Sequence, residues 1–229
     1  GRVGGVLHIA GAPSFKQDDI QLINWYARTL EKLGVEIRYN TEATPKMLDS
    51  IPHDVLILAT GSTPRELRLS GEHTMYKAED ILSGHQKAGK RVAIIGGGLV
   101  GCELALDLAE NDHDVTIVEA LPAILSAGAP IPHMNKMMLL DLLRANGVQF
   151  LEGVKVESVD RNTICYSKNG KAHTLDTDTV VYAIGYRSNR ELFDSVQVDE
   201  QEIYLIGDAR RPRNIMYAIW DAYELANNI

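Results

Sequence analysis

This sequence predicts an α/β fold in which a parallel sheet of Rossmann type is inserted within a second, discontinuous domain. Three observations predict it. Residues 91–119 read as an apolar run, spaced glycines, a helix and a second apolar run. Residues 154–160, 163–167 and 172–176 are short alternating segments parted by Arg161-Asn162 and Asn169-Gly170, the pattern of a β-meander. The tail offers one strand, at 203–206, and one helix from Ile215, too little for a core, so it must complete a sheet begun near the start of the chain.

The elements follow in order. Residues 6–9 are a short apolar piece leading to a Gly-Ala-Pro turn at 11–13. Residues 16–33 predict a helix: Ile20, Ile23, Ala27 and Leu30 recur at helical spacing, Asp18 and Asp19 suit the first turn, and Gly34 suits the stop. Residues 35–39 alternate like a strand, and Thr44-Pro45 opens a short helix. Residues 55–59 form an apolar strand ending in Thr60-Gly61-Ser62. The pattern loosens over 63–90, with Pro64 and a helical piece at 78–82, as a crossing between domains does.

Next comes the stretch with the most chemistry. Val92, Ala93, Ile94 and Ile95 are continuously apolar, as in a parallel strand buried on both faces. Gly96-Gly97-Gly98-Leu99-Val100-Gly101 contains G-x-G-x-x-G. The first glycine permits the tight turn, the second lets the backbone approach a pyrophosphate, and the third lets the helix pack on the sheet. The helix over 99–111 presents its N-terminal N–H groups and positive dipole end to phosphates. A strand at 115–118 then ends at Glu119, 18 residues after Gly101, where an acid accepts from a ribose diol. That acid favours NAD(H) over NADP, and Ala120 and Leu121 supply no cation for a 2′-phosphate. If the glycines served packing alone, Glu119 would have no role.

Beyond a loop rich in Ala, Pro and Gly, residues 133–145 form a helix stopped by Asn146-Gly147, and 148–151 a third strand. The meander follows. Residues 179–184 return to the sheet, 190–193 are helical, and Gly207-Asp208 precedes the closing helix with Met216, Ile219, Ala222 and Ala226 on one face.

Composition excludes several classes. The chain has 229 residues, room for one large or two small domains. With 23 Lys+Arg against 31 Asp+Glu the formal charge is −8, which disfavours nucleic acid and anionic membranes as partners. No apolar stretch approaches the ~18 residues of a spanning helix, so a cytoplasmic location is the default. Cys102 and Cys165 make no C-x-x-C pair, and the seven histidines show no ligand spacing, so neither a redox thiol pair nor a metal site is expected.

Ala59-Thr60-Gly61, the glycine-rich stretch through Glu103, Ala183-Ile184-Gly185 and Ile206-Gly207-Asp208 together resemble two-dinucleotide-domain flavoprotein reductases. With Gly4-Gly5 and the long helix after them, the chain is more narrowly similar to the C-terminal half of the Old Yellow Enzyme-related NADH:flavin oxidoreductases, the family of 2,4-dienoyl-CoA reductase, trimethylamine dehydrogenase and enoate reductase. The resemblance implies an FAD-type domain over 1–64 and 188–229 interrupted by an NAD(P)-binding domain over 65–187. It implies that Asp208 contacts the ribityl chain of FAD, with Gly4, Gly5, Thr60, Gly61 and Gly207 on the same cofactor. It places Glu103 close to the nicotinamide and Leu99 near the ring face, with Gly185 in the same site. Hydride would pass from NADH to FAD without an acid or base from the protein. In that family an N-terminal barrel of the same polypeptide carries FMN and a 4Fe-4S cluster.

The family's first glycine fingerprint stands just upstream of the Gly-Gly found here at 4 and 5, so the chain is expected to begin after it. The region alone is then expected to be inactive and to hold FAD weakly, with an apolar sheet edge that invites self-association into a homo-oligomer. The rival reading is a structural nucleotide-binding module that takes no part in turnover.

Overall fold

The computed structural model of the chain describes residues 1–72, 74–196 and 202–229. They form two compact units: residues 1–37 with 66–185, and residues 38–65 with 186–229.

In chain order the elements begin with α1 (Leu7–Ala10) and α2 (Gln17–Lys32), followed by α3 (Pro45–Asp49), β1 (Val55–Leu58), β2 (Ser62–Pro64), β3 (Met75–Lys77) and α4 (Ala78–Leu82). The glycine-rich unit supplies β4 (Arg91–Ile95), α5 (Leu99–Glu110) and β5 (Asp114–Glu119), after which come α6 (His133–Ala145) and β6 (Gln149–Glu152). The meander is β7 (Lys155–Asp160), β8 (Thr163–Lys168) and β9 (Lys171–Asp176), and β10 (Thr179–Tyr182) closes the first unit. The tail holds β11 (Tyr186–Ser188), α7 (Glu191–Ser195), β12 (Glu202–Leu205), α8 (Gly207–Arg210) and α9 (Ile215–Ala226).

The first unit is built on a five-stranded, wholly parallel sheet of order β3-β10-β4-β5-β6. Alternation along β4 sorts its side chains between two cores. Val92 and Ile94 pack with Leu104, Leu108 and Leu143 under α5 and α6, while Ala93 and Ile95 pack with Val159 and Ile164 of the meander. The sheet is therefore covered by helices on one face and by antiparallel strands on the other, which is why all four residues are buried. The chain leaves β4 for β5 on one side, with β10 on the other. That reversal is a switch point, the place where ligands bind at the carboxyl ends of open parallel sheets.

Helix ends follow the sequence closely. After α2, Gly34 (φ +67°) donates to Glu31 O and Val35 donates to Leu30 O, both at 3.0 Å, a Schellman stop. Gly147 repeats it after α6, donating to Arg144 O while Val148 donates to Leu143 O. Thr44 caps α3 through its side-chain oxygen, which accepts from Met47 N.

In the second unit β12 pairs parallel with β1, so the tail does complete a sheet begun before residue 64. The structure also departs from the sequence reading. Residues 35–39 form no strand: Val35, Ile37 and Tyr39 are all exposed, and no described strand runs beside them to share ladder bonds. Residues 6–9 lie largely in the single-turn helix α1. The segment read as a loose crossing contains two strands, β2 and β3, whose partners β11 and β10 lie more than a hundred residues away. Finally, residues 1–37, including α2, group with the glycine-rich unit, whereas the sequence reading put them in the flanking domain.

Candidate functional site

The carboxyl end of β4 runs into the three consecutive glycines, and each stands in a different environment. Gly96 has φ +111°, and a Cβ there would lie 2.4 Å from Ala183 O. Gly101, one turn into α5, would put a Cβ 2.0 Å from Gly96 O. A Cβ on Gly97 would meet Ile124 Cγ2 at 2.5 Å and Glu119 Oε2 at 3.1 Å. Protein packing alone accounts for these three. Gly98 differs: its φ is −73°, open to any residue, and a Cβ there meets nothing within 4 Å. The glycine that sequence reasoning assigned to pyrophosphate approach is thus the one whose side-chain space is left open.

Glu119 stands at the same turn. Its Oε2 accepts from Gly97 N at 2.6 Å and its Oε1 from Leu121 N at 2.7 Å. A carboxylate offers about four acceptor positions, so two remain for a ligand's hydroxyls. Its neighbour in register, Glu152 at the end of β6, accepts from Ile124 N at 2.8 Å. With Leu125 N donating to Gly97 O at 2.7 Å, these bonds fold residues 120–125 back onto the glycine turn. Sequence reasoning missed Glu152, although it ends the next strand just as Glu119 ends its own.

Along α5, Leu99 and Val100 pack partly buried against the helix-side core. Glu103 follows on the helix and faces Lys16, its Oε2 accepting from Lys16 Nζ at 2.9 Å, with both side chains about four-fifths buried. Burial pushes the Glu103 carboxyl above its ordinary range, while the Lys16 ammonium pulls it partly back. Lys16 also pairs with Asp19 at 3.7 Å, but its contact with Glu103 was not foreseen, because the two are 87 residues apart. Gly185 (φ +92°) follows Ala183, whose N–H donates to Ile95 O beside Gly96. Gly4 and Gly5 belong to the same unit and form the turn into α1. A Cβ on Gly4 would lie 2.8 Å from Ile23 Cγ2 of α2.

Both cysteines are free. Cys102 is fully buried, its Sγ donating to Gly97 O at 3.4 Å, and burial, reinforced by nearby carboxylates, pushes its thiol up to about 12. It is therefore a neutral packing group at physiological pH. Native protein treated with a thiol reagent near pH 8 is expected to leave Cys102 unlabelled and to expose it only on unfolding. Mapping by mass spectrometry checks this, and fast native labelling of Cys102 would contradict it.

The second unit holds the other residues singled out from sequence. Gly207 (φ +59°) opens α8, and its N–H donates to Asp221 Oδ2 at 3.0 Å. Asp208 accepts from Ser62 Oγ at 3.0 Å and from Arg213 N at 2.9 Å. Thr60 Oγ1 donates to Asn189 O, and Asn189 N donates to Gly61 O. The loops after β1, β11 and β12 are thus tied to one another, with Gly61 (φ +72°) presenting open space where a side chain would be. Among the described residues no group of three or more His, Cys, Asp or Glu could hold a metal ion, and no helix is long and apolar enough to cross a membrane.

A parallel sheet whose central strand enters a glycine turn and helix, with an acid from the next strand on that turn, defines a dinucleotide-binding α/β protein. Residues 45–222 match the family described as Pyridine nucleotide-disulphide oxidoreductase, and the chain belongs to that family. It is 42% identical over 229 residues to the cinnamate reductase of Clostridium sporogenes, covering 100% of this chain and 34% of that protein. To the NADH oxidase of Thermoanaerobacter brockii it is 34% identical over 232 residues, covering 98% of this chain and 35% of the relative. A solved structure of 2-naphthoyl-CoA reductase in complex with 2-naphthoyl-CoA matches with TM-score 0.88 at 27% identity, over 100% of this chain and 35% of that one. The chain thus spans about a third of the length of these relatives. The likeness to Old Yellow Enzyme-related flavoenzymes and the fold of their FAD- and NAD-binding region are borne out, and this is an oxidoreductase domain.

Proposed function

We propose that this chain is the nucleotide-binding electron-entry region of a flavin-dependent oxidoreductase, with NADH on the glycine turn and FAD on the second unit, residues 38–65 with 186–229. The observation that carries the NADH half is Gly98, a glycine that neither its backbone angle nor its neighbours require, beside an acid with acceptor capacity to spare. In this reading α5 turns its first N–H groups toward the pyrophosphate and Glu119 takes the adenine-side ribose.

Residues of this chain also fit the flavin side. Asp208, fixed from two directions, suits the ribityl hydroxyls, and the open space at Gly61 admits close approach. Glu103 on the nucleotide helix shares Lys16 with Asp19, and this largely buried cluster is suited to ordering a nicotinamide through a fixed Glu103 carboxyl. Bound NADH and FAD supply the hydride donor and acceptor, so the protein's work is alignment and exclusion of water. In the intact polypeptide a barrel with FMN and a 4Fe-4S cluster would receive the electrons. The protein would be cytoplasmic, and a homo-oligomer is compatible with the exposed apolar residues of α9, Trp220 and Tyr223 among them.

Anaerobic stopped-flow mixing of the full-length protein with NADH tests the reading. Rapid loss of oxidised-flavin absorbance is expected. A flavin left oxidised while NADH binds would assign the site to a structural nucleotide instead.

A further inference from the structure

Two acids end neighbouring strands beside the glycine turn, and the reading above gives a ligand to only one of them. β4 runs into the turn, β5 beside it ends at Glu119, and β6, at the edge of the sheet, ends at Glu152, the register partner of Glu119. We infer that Glu152 is a second specificity-determining residue of this site, which with Glu119 turns away dinucleotides that carry a 2′-phosphate on the adenine ribose. The inference rests on the reading of the glycine turn as an NADH site.

Placement is the first argument. Neighbouring strands run about 4.8 Å apart, so the backbone that carries Glu152 is one strand spacing from the backbone that carries the ribose acid. Both carboxylates bond the same segment, Glu119 accepting from Leu121 N at 2.7 Å and Glu152 from Ile124 N at 2.8 Å. Their charges also converge on Cys102, whose thiol is pushed up first by burial and then by the Glu119, Glu103 and Glu152 carboxylates.

The second argument is the balance of charge. A 2′-phosphate carries about −1.5 to −2 at neutral pH and needs a cation nearby. Residues 120–126 are Ala, Leu, Pro, Ala, Ile, Leu and Ser, and supply none. Lys136 bonds this segment, its Nζ donating to Leu125 O at 2.8 Å. Two carboxylates therefore stand against one ammonium, and a phosphate dianion would add to the excess. The third argument is fixity. Gly153 N donates to Leu121 O at 2.8 Å, Val154 N to Glu119 O at 3.0 Å and Leu125 N to Gly97 O at 2.7 Å, while Ile124 and Leu125 are buried. The segment is fastened at both ends, so it is not free to swing aside and admit a cation from elsewhere. Removing the Glu119 charge alone leaves the Glu152 carboxylate in place, and with it part of the barrier to NADPH.

Glu152→Gln isolates the charge, because its amide oxygen can still accept from Ile124 N and hold the segment. Calorimetry with NADH and with NADPH is run on wild type, Glu152→Gln, Glu119→Gln and the double variant, at low and high salt. Both nucleotides share a pyrophosphate, so a general gain from lost negative charge appears in each; the excess gain of NADPH is what reads the inference. The affinity ratio is expected to narrow by about three- to tenfold in Glu152→Gln, and further in the double variant than in Glu119→Gln, with smaller differences at high salt, where screening weakens the repulsion. Should Glu152→Gln fail to fold, the wild-type salt series stands without it: the gap between NADH and NADPH should shrink as salt rises. A ratio unmoved in Glu152→Gln, equal shifts for both nucleotides, or a wild-type gap indifferent to salt would each overturn the inference. Wild type that binds neither nucleotide would sink the NADH reading itself and this inference with it, whereas NADH binding with an unmoved ratio sinks this inference alone.

Discussion

Gly98→Ala is expected to leave the fold intact and to weaken NADH binding at least about a hundredfold, while Gly101→Ala is expected to unfold the glycine turn itself. The two positions belong to one motif, yet the structure gives them opposite surroundings. At Gly98 the backbone is extended and the added methyl meets nothing in the protein, so the stability cost is that of a poorer helix cap, about 1 kcal/mol or less. The methyl instead occupies the approach to the helix N-terminus, where a pyrophosphate would come closest. Two decades of affinity correspond to about 2.7 kcal/mol, a plausible loss when several backbone bonds to one anion are lengthened together. At Gly101 the same methyl falls 2.0 Å from Gly96 O, inside covalently fixed backbone, and strand and helix must separate. Overpacking of this kind costs about 1–3 kcal/mol and more where backbone has to move. Thermal unfolding and calorimetry with NADH distinguish the two effects. Wild-type NADH affinity in Gly98→Ala would remove the main support for a nucleotide on this turn.

The contrast explains what the sequence revealed and what it concealed. The spacing of Gly96, Gly98 and Gly101 is a local pattern, dictated by how a strand must turn into a helix, and so the turn, α5 and β5 were legible without coordinates. Helix stops were legible for the same reason, since Gly34 and Gly147 sit next to the carbonyls they satisfy. Which glycine is forced by packing was hidden, because the atoms that crowd Gly96 belong to Ala183. β2 and β3 were hidden as well: three-residue strands carry no periodicity of their own, and their existence depends on partners supplied by the far end of the chain. Residues 35–39 show the converse failure. Alternation there imitates a strand, but a strand needs a neighbour, and Val35, Ile37 and Tyr39 remain exposed instead. The Lys16–Glu103 pair was half legible: Glu103 stood in the glycine-rich motif, while Lys16, distant in sequence, carried no mark.

Substituting Glu119 is expected to separate its structural bonds from its part in nucleotide choice. In Glu119→Ala the N–H groups of Gly97 and Leu121 lose their acceptor together. Leu121 is exposed and can turn to water, but Gly97 is buried, and an orphaned buried donor costs about 1–3 kcal/mol. Glu119→Gln keeps one oxygen for one of these donors and must bring its own NH2 toward the other, so stability should rank wild type, then Gln, then Ala. Ligand binding should follow a different order. A ribose diol loses a charged acceptor in both variants, a penalty of about 1.5–3 kcal/mol, or tenfold and more in NADH affinity. NADPH, whose 2′-phosphate the carboxylate repels, loses nothing when the charge is removed, and its affinity should hold or improve. The gap between NADH and NADPH should therefore narrow by about tenfold even in Glu119→Gln, where the loop is largely kept. Calorimetry with both nucleotides on both variants reads this directly. An equal loss for NADH and NADPH would mean that Glu119 acts only by holding Gly97, and the preference for NADH would then have to come from another residue.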